Sequence, residues 1–167
     1  MDTPVNLVLA GGASHAEAYD KRLRRHQSDR VRILDWVSGE GLDERLTNAM
    51  LFVLPSDLEN PSLALLHAMG AGVCVLASDI PENRELVDGT AFTFRHGDGD
   101  DLERMLRLLI SEPGVRKAAA DKTRESVWEH YLWGRVAREI EGNYPALAAG
   151  SNVPKPAMPA GDRPRAA

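Results

Sequence analysis

Pro55-Ser56-Asp57-Leu58-Glu59-Asn60-Pro61-Ser62-Leu63-Ala64-Leu65-Leu66-His67-Ala68-Met69-Gly70-Ala71-Gly72 decides the fold, because it joins the end of an apolar strand to an apolar helix through a polar turn. The four residues before it, Leu51-Phe-Val-Leu54, are a continuous run of strand formers. Their lack of alternation suits a parallel strand covered on both faces. The turn then falls on the carboxyl edge of that strand, where α/β sheets bind their ligands.

Asn60-Pro61 predicts an N-cap followed by proline at the first helical position, so that Ser62 and Leu63 present unpaired backbone N–H groups. A helix start of this kind favours phosphate. From Ser62 to about Ala71 the helix is apolar nearly all round, which predicts burial. His67 interrupts it. A lone polar side chain there points into a cleft or finds a buried partner, and the residues alone leave both open. Glu59, just before the helix, is either an extra cap or a ligand contact.

Working outward, apolar strands are predicted at 5–10, 31–35, 51–55, 73–78 and 91–95. Between them run helices at about 16–25 and 40–49, the helix just described, and a stripe of Leu102, Met105, Leu106, Leu109 and Ile110. Strands alternating with helices define an α/β fold, a Rossmann-like doubly wound parallel sheet with flanking helices. Pro113-Gly114 ends the striped helix, and another is predicted over 115–129. Tyr131, Trp133, Val136 and Ile140 anchor a last one. From Ala148 the chain is Ala, Pro, Gly and charge without periodicity, a disordered tail. The organisation is one domain over 1–147 and a tail over 148–167.

At 167 residues, 43% hydrophobic and 27% charged, the chain can bury one full core. Its net charge of −5 argues against nucleic acid as a partner. The one cysteine, Cys74, sits in the apolar run Val73-Cys-Val-Leu76 and reads as a small core residue, with no internal disulfide or cysteine-based metal site available. No apolar run comes near the roughly 18 residues that span a membrane, and no signal-type start is present. The expected setting is cytoplasmic.

The Glu59-to-Gly72 run resembles the signature of the retaining, GT-B fold glycosyltransferases of family 4 (glycosyl transferases group 1). There two glutamates are separated by seven residues and followed by Ala-Met and a glycine. Glu59 matches the first glutamate, Ala68-Met69 and Gly72 match the tail, and His67 replaces the second glutamate. Three further stretches are similar to the family: Val5–Ala10 with Gly11-Gly12, Arg32-Ile-Leu-Asp-Trp-Val-Ser-Gly-Glu40, and Ala77-Ser-Asp-Ile-Pro-Glu-Asn-Arg-Glu-Leu-Val87. The likeness runs from about residue 5 to 147.

The resemblance implies the C-terminal, donor-binding half of a GT-B enzyme, without its first strand and helix. It implies that Glu59 meets donor-sugar hydroxyls and acts as the catalytic-side carboxylate. The backbone around Asn60, Ser62 and Leu63 would hold the donor diphosphate, His67 the ribose, and Trp36 and Val37 the border of the base. A nucleotide-diphosphate sugar is then the substrate partner, with no cofactor and no metal. A carboxylate accepts two hydroxyl hydrogen bonds, whereas a neutral imidazole accepts one and donates one, so His67 would hold ribose more weakly. Pro61 removes one N–H from the phosphate cradle. Without the other GT-B domain, and without the cations that neutralise the diphosphate, the chain is expected to turn over poorly alone.

Smaller features carry two readings each. Lys21, Arg22, Arg24, Arg25, Arg30 and Arg32 form either an anionic-surface contact, including a membrane, or a solvated face, the reading preferred here. Gly11-Gly12 reads as a tight turn rather than a phosphate loop. Packing is the preferred role for Trp36. Asp79 is expected to cap the turn into the helix after it, although it, Glu82 and Glu85 also stand where they could line the edge. Rival functions are a non-catalytic scaffold derived from a transferase and a GT-B nucleotide-sugar epimerase. A phosphoacceptor receiver domain built on Asp57 fails, because Gly11-Gly12 replaces the acids that should end the first strand.

Overall fold

The computed structural model describes residues 5–12, 17–60, 62–87 and 89–132, with Gly134, Ala137 and Arg138 beyond them. Five strands alternate with helices: β1 (Leu7–Ala10), α1 (Glu17–Arg24), β2 (Val31–Leu34), α2 (Glu40–Thr47), β3 (Phe52–Leu54), α3 (Leu63–Gly70), β4 (Val75–Ser78), α4 (Pro81–Val87), β5 (Phe92–Phe94), α5 (Gly99–Ser111) and α6 (Pro113–His130). All strand pairs are parallel. Pro113 opens α6 rather than merely ending α5, as suits a residue that has no N–H to lose in a first helical turn.

β4 is the centre. Val75, Leu76 and Ala77 have no exposed surface, which an uninterrupted apolar strand achieves only with cover on both faces. Side chains alternate along a strand, so the two faces feed two cores. Val75 and Ala77 pack with Leu46 of α2, Leu65, Ala68 and Met69 of α3, and Leu86 and Val87 of α4. Cys74 and Leu76 pack with Phe94 of β5, Met105 and Leu109 of α5, and Ala120 of α6. Helices on both faces of a parallel sheet give the doubly wound layering. Burial raises the Cys74 thiol to about 11, which fits a core residue.

The sheet is divided, which the sequence does not predict. β1 pairs only with β2, and β3–β4–β5 form a separate three-stranded sheet. β3 is half-buried rather than covered on both faces. β1 is mostly exposed, with Leu7 and Val8 at 49% and 46%. Of the β1–β2 pair, Ile33 alone is buried.

Contacts divide the chain into the units Met1–Val127 and Trp128–Ala167. In the second, the His130 and Tyr131 rings meet edge to face at 6.5 Å between centroids. The helix expected over 131–140 falls largely, and the tail from 148 wholly, outside the described residues.

α3 ends where the chain must turn back into β4. Ala71 caps it, Gly72 takes φ 74°, and the N–H groups of Gly72 and Val73 donate to the carbonyls of Met69 and Ala68. That double bond is a Schellman stop, which favours glycine at the left-handed position. Replacing the fully buried Leu65 with Ala should cost about 2–5 kcal/mol of stability through lost burial and a cavity. Leu63→Ala, on the open side of the same helix, should stay within about 0.5 kcal/mol. Urea unfolding of both variants checks the contrast, and equal losses would refute the assignment of the buried face.

Candidate functional site

Because β3, β4 and β5 run parallel, the chain leaves all three at one edge, and hydrogen bonds tie the departing loops together. Ser78 Oγ donates to the Ser56 carbonyl at 2.6 Å. Asn83 Nδ2 donates to the Ser78 carbonyl and to Ser78 Oγ, each at 3.1 Å. Ser56 Oγ in turn donates to Glu59 Oε1 at 2.6 Å. A relay thus runs from α4 through the end of β4 to the Glu59 carboxylate. Asn83 is wholly buried, and its Oδ1 has no partner among the described residues.

The loop after β5 is fastened by carboxylates. Asp79 accepts the His96 N–H at 2.8 Å and Arg84 Nη2 at 2.9 Å. These bonds, the one from His96 foremost, hold its carboxyl below the usual range. Asp79 therefore reaches across to the β5 exit instead of capping α4. Asp101 accepts the Arg95 N–H at 2.8 Å and two bonds from Arg104, and is likewise lowered, the Arg95 bond contributing most. His96 Nε2 lies 2.8 Å from Asp57 Oδ1, and both residues line a cleft of about 180 Å³ together with Pro55, Ser78, Phe94 and the start of α5.

The helix start differs from the expectation. Ser62, not Asn60, is the N-cap: its Oγ accepts the Leu65 N–H at 3.3 Å and its carbonyl the Leu66 N–H. A serine hydroxyl at that position reaches the third helical N–H directly, which moves the first turn two residues along. The N–H groups without an intrahelical acceptor are then those of Leu63 and Ala64. Pro61 lies outside the described residues. Leu63, Ala64 and His67 form an exposed face, Leu63 at 68%, so α3 is buried on one side only. His67 is accordingly no satisfied core histidine.

The structure brings Glu59, Ser62, Leu63 and His67 together along one loop and helix, with Asn60 exposed between them. Trp36 and Val37 follow β2, in the other sheet, and among the described residues no hydrogen bond joins them to the Glu59 loop. Trp36 is 79% exposed, against the packing role preferred for it. Glu85 faces solvent on α4 and Glu82 is half-buried there. Gly11 and Gly12 have ordinary φ, so no tight left-handed turn requires them. The basic run is a solvated face, in which Arg24 bridges Asp20 and Asp35.

Sequence reading missed Ser56, Ser78 and Asn83. The Ser-x-x-Glu spacing of Ser56 and Glu59 is a visible signal, since hydroxyl and carboxylate three residues apart pair readily around a turn. The bond from Ser78, twenty-two positions away, leaves no such trace.

Parallel strands, helices on both faces and polar loops gathered at the carboxyl edge define a Rossmann-like α/β domain. Residues 1–112 match the model of the family described as glycosyl transferases group 1, and the chain belongs to that family. It is 31% identical over 111 residues to sulfoquinovosyl transferase of Arabidopsis thaliana, covering 62% of this chain and 21% of that protein. It is 28% identical over 160 residues to alpha-maltose-1-phosphate synthase of Mycobacterium tuberculosis, covering 87% and 41%. The solved structure of Anabaena HepE in complex with UDP-glucose superposes with a TM-score of 0.76 at 18% identity, over 86% of this chain and 42% of that one. The chain thus spans less than half the length of these relatives. Among the described residues no helix is long and apolar enough to cross a membrane.

Asp79 makes the edge sensitive to acid. Its folded value lies below the ordinary one of about 3.9, so the stability it contributes is complete above that value and lost as pH falls through the lower folded one. The difference in urea midpoint between wild type and Asp79→Asn should hold steady from about pH 7 to 5 and shrink below about pH 4. A difference independent of pH would show that the charge is not what the His96 and Arg84 bonds use.

Proposed function

We propose that this chain is the donor-side domain of a retaining glycosyltransferase and binds a nucleotide-diphosphate sugar where β3 passes into α3. The observation that carries the reading is the Glu59 carboxylate, tethered by Ser56 at the foot of a helix whose first N–H groups are open. The UDP-glucose bound by HepE supports the choice of ligand class.

In this reading Glu59 accepts hydrogen bonds from donor-sugar hydroxyls. The Leu63 and Ala64 N–H groups, beside Asn60 and the Ser62 cap, meet the diphosphate with the positive end of the helix. His67, one turn further on the same open face, donates one hydrogen bond and accepts one from ribose. Trp36 and Val37 border the base. No step needs a metal ion.

The same edge is rich in acid. Asp57, Glu59, Asp79 and Asp98 all stand on its loops, and the nearby Arg84 and His96 are engaged by Asp79 and Asp57. A departing diphosphate gains little charge compensation from such a set, so transfer by this chain alone should be slow. That acidity favours a second reading, in which the domain binds the donor without transferring the sugar.

Titration with uridine diphosphate glucose and guanosine diphosphate mannose, followed by amide NMR, tests the site. Saturable shifts at Leu63 and Ala64 are expected for one donor, and Glu59→Ala should weaken binding about tenfold or more. No shift at millimolar donor would overturn the proposal. His67→Glu should instead tighten donor binding several-fold, since a carboxylate accepts both ribose hydroxyls and the position is exposed enough to take it. Unchanged or weaker binding by that variant would remove His67 from the ribose contact. Nucleotide release from the donor separates the two readings: release lost in Glu59→Ala supports transfer, and none above background supports binding alone.

A further inference from the structure

The Glu59 carboxylate has one hydroxyl to hold it. The two residues before it, Asp57 and Leu58, are exposed, Leu58 at 80%, so packing on that side does not set its direction. Among the described residues its one hydrogen bond is the 2.6 Å contact from Ser56 Oγ, and no cation pairs with it. Glutamate is rich in rotamers, so a free carboxylate at this place would lose much freedom on meeting a ligand. A hydroxyl donating at this length, within the roughly 2.5–2.7 Å of charge-assisted bonds, is a strong restraint for a neutral side chain.

Ser56 is itself fixed from behind. Its carbonyl accepts from Ser78 Oγ, and the wholly buried Asn83 spends both hydrogens of its Nδ2 on the Ser78 carbonyl and hydroxyl. A serine hydroxyl carries one hydrogen, and that of Ser56 is committed to Glu59 Oε1, so it has none left to give a ligand. Ser56 therefore acts through Glu59, whose other oxygen stays open to hydroxyls.

We infer that Ser56 sets the site's preference for a sugar-bearing nucleotide diphosphate over the bare nucleotide diphosphate, as a positioning residue acting on Glu59. The inference rests on the donor reading above. In that reading the two ends of the donor are met by separate groups, the sugar hydroxyls by Glu59 and the diphosphate by the Leu63 and Ala64 N–H groups. The Ser62 cap that shapes the helix start bonds Leu65 and Leu66, not Ser56. Loss of the Ser56 hydroxyl thus releases the carboxylate to several rotamers and leaves the helix start as it is. Sugar recognition falls, and diphosphate recognition stays.

Equilibrium titration of the full chain with uridine diphosphate glucose and guanosine diphosphate mannose, each beside its bare nucleotide diphosphate, tests this. In Ser56→Ala the ratio of donor affinity to bare-diphosphate affinity should fall about three- to tenfold, with the affinity for the bare diphosphate unchanged. Ser56→Thr, which keeps the hydroxyl, should keep the ratio. Adding Ser56→Ala to Glu59→Ala should lower it no further, because both act on one contact. A ratio untouched by Ser56→Ala would overturn the inference. So would equal loss of donor and bare diphosphate, the mark of a merely structural role, or a further loss in the Glu59→Ala background, the mark of a contact made without Glu59. Donor binding absent from wild type removes the donor site and this inference together, whereas the other three outcomes remove this inference and leave the donor site standing.

Discussion

The complete burial of β4 between two apolar layers is the constraint on which the β3–β4–β5 half of the structure depends. Val75 and Ala77 face α2, α3 and α4, while Cys74 and Leu76 face α5 and α6, so one short strand sets the position of five helices. Its last residue couples core to site. Ser78 is still buried, and a buried hydroxyl needs a partner. It finds the Ser56 carbonyl, and with that bond the loop carrying Glu59 is fixed to the centre of the domain.

Two kinds of contact hold the carboxyl edge, and they differ in weight. The pair between His96 and Asp57 is exposed on both sides and contributes no more than about 1 kcal/mol. The Asn83–Ser78–Ser56 relay lies in or beside the core, where leaving a donor unpaired costs about 1–3 kcal/mol. The placement of Glu59 therefore depends on Ser78 and Asn83 more than on the His96–Asp57 contact. The Schellman stop at Gly72 acts with them, because it returns the chain from α3 into β4 and keeps the helix start beside the same edge.

Much of this was legible in the chain. The apolar runs around Val8, Ile33, Val53, Val75 and Thr93 give the five strands, and the Leu102-to-Ile110 stripe gives α5, because periodicity reports what a segment can bury. Glu59 and the start of α3 were visible as a motif. The N-cap was misplaced because Asn60-Pro61 and Ser62 are both sound caps by composition, and only the geometry shows which oxygen reaches the Leu65 N–H. Ser78, Asn83 and the Asp79 bond to His96 were out of reach, since each joins residues brought together by the sheet rather than by spacing.

The two clearest departures share a cause. β1 and the Leu63–His67 face of α3 are apolar or nearly so, and pattern reading assigns both to the interior. Both are exposed here. Hydrophobic pattern states a demand for cover, whereas burial records whether the described residues supply it. In the β4 region demand and supply agree, and the core is closed. At β1 and at the open face of α3 they do not, and the second of these is where Glu59 and the free N–H groups stand. A donor that lay there would cover apolar surface as well as meet polar groups, and both contribute to affinity.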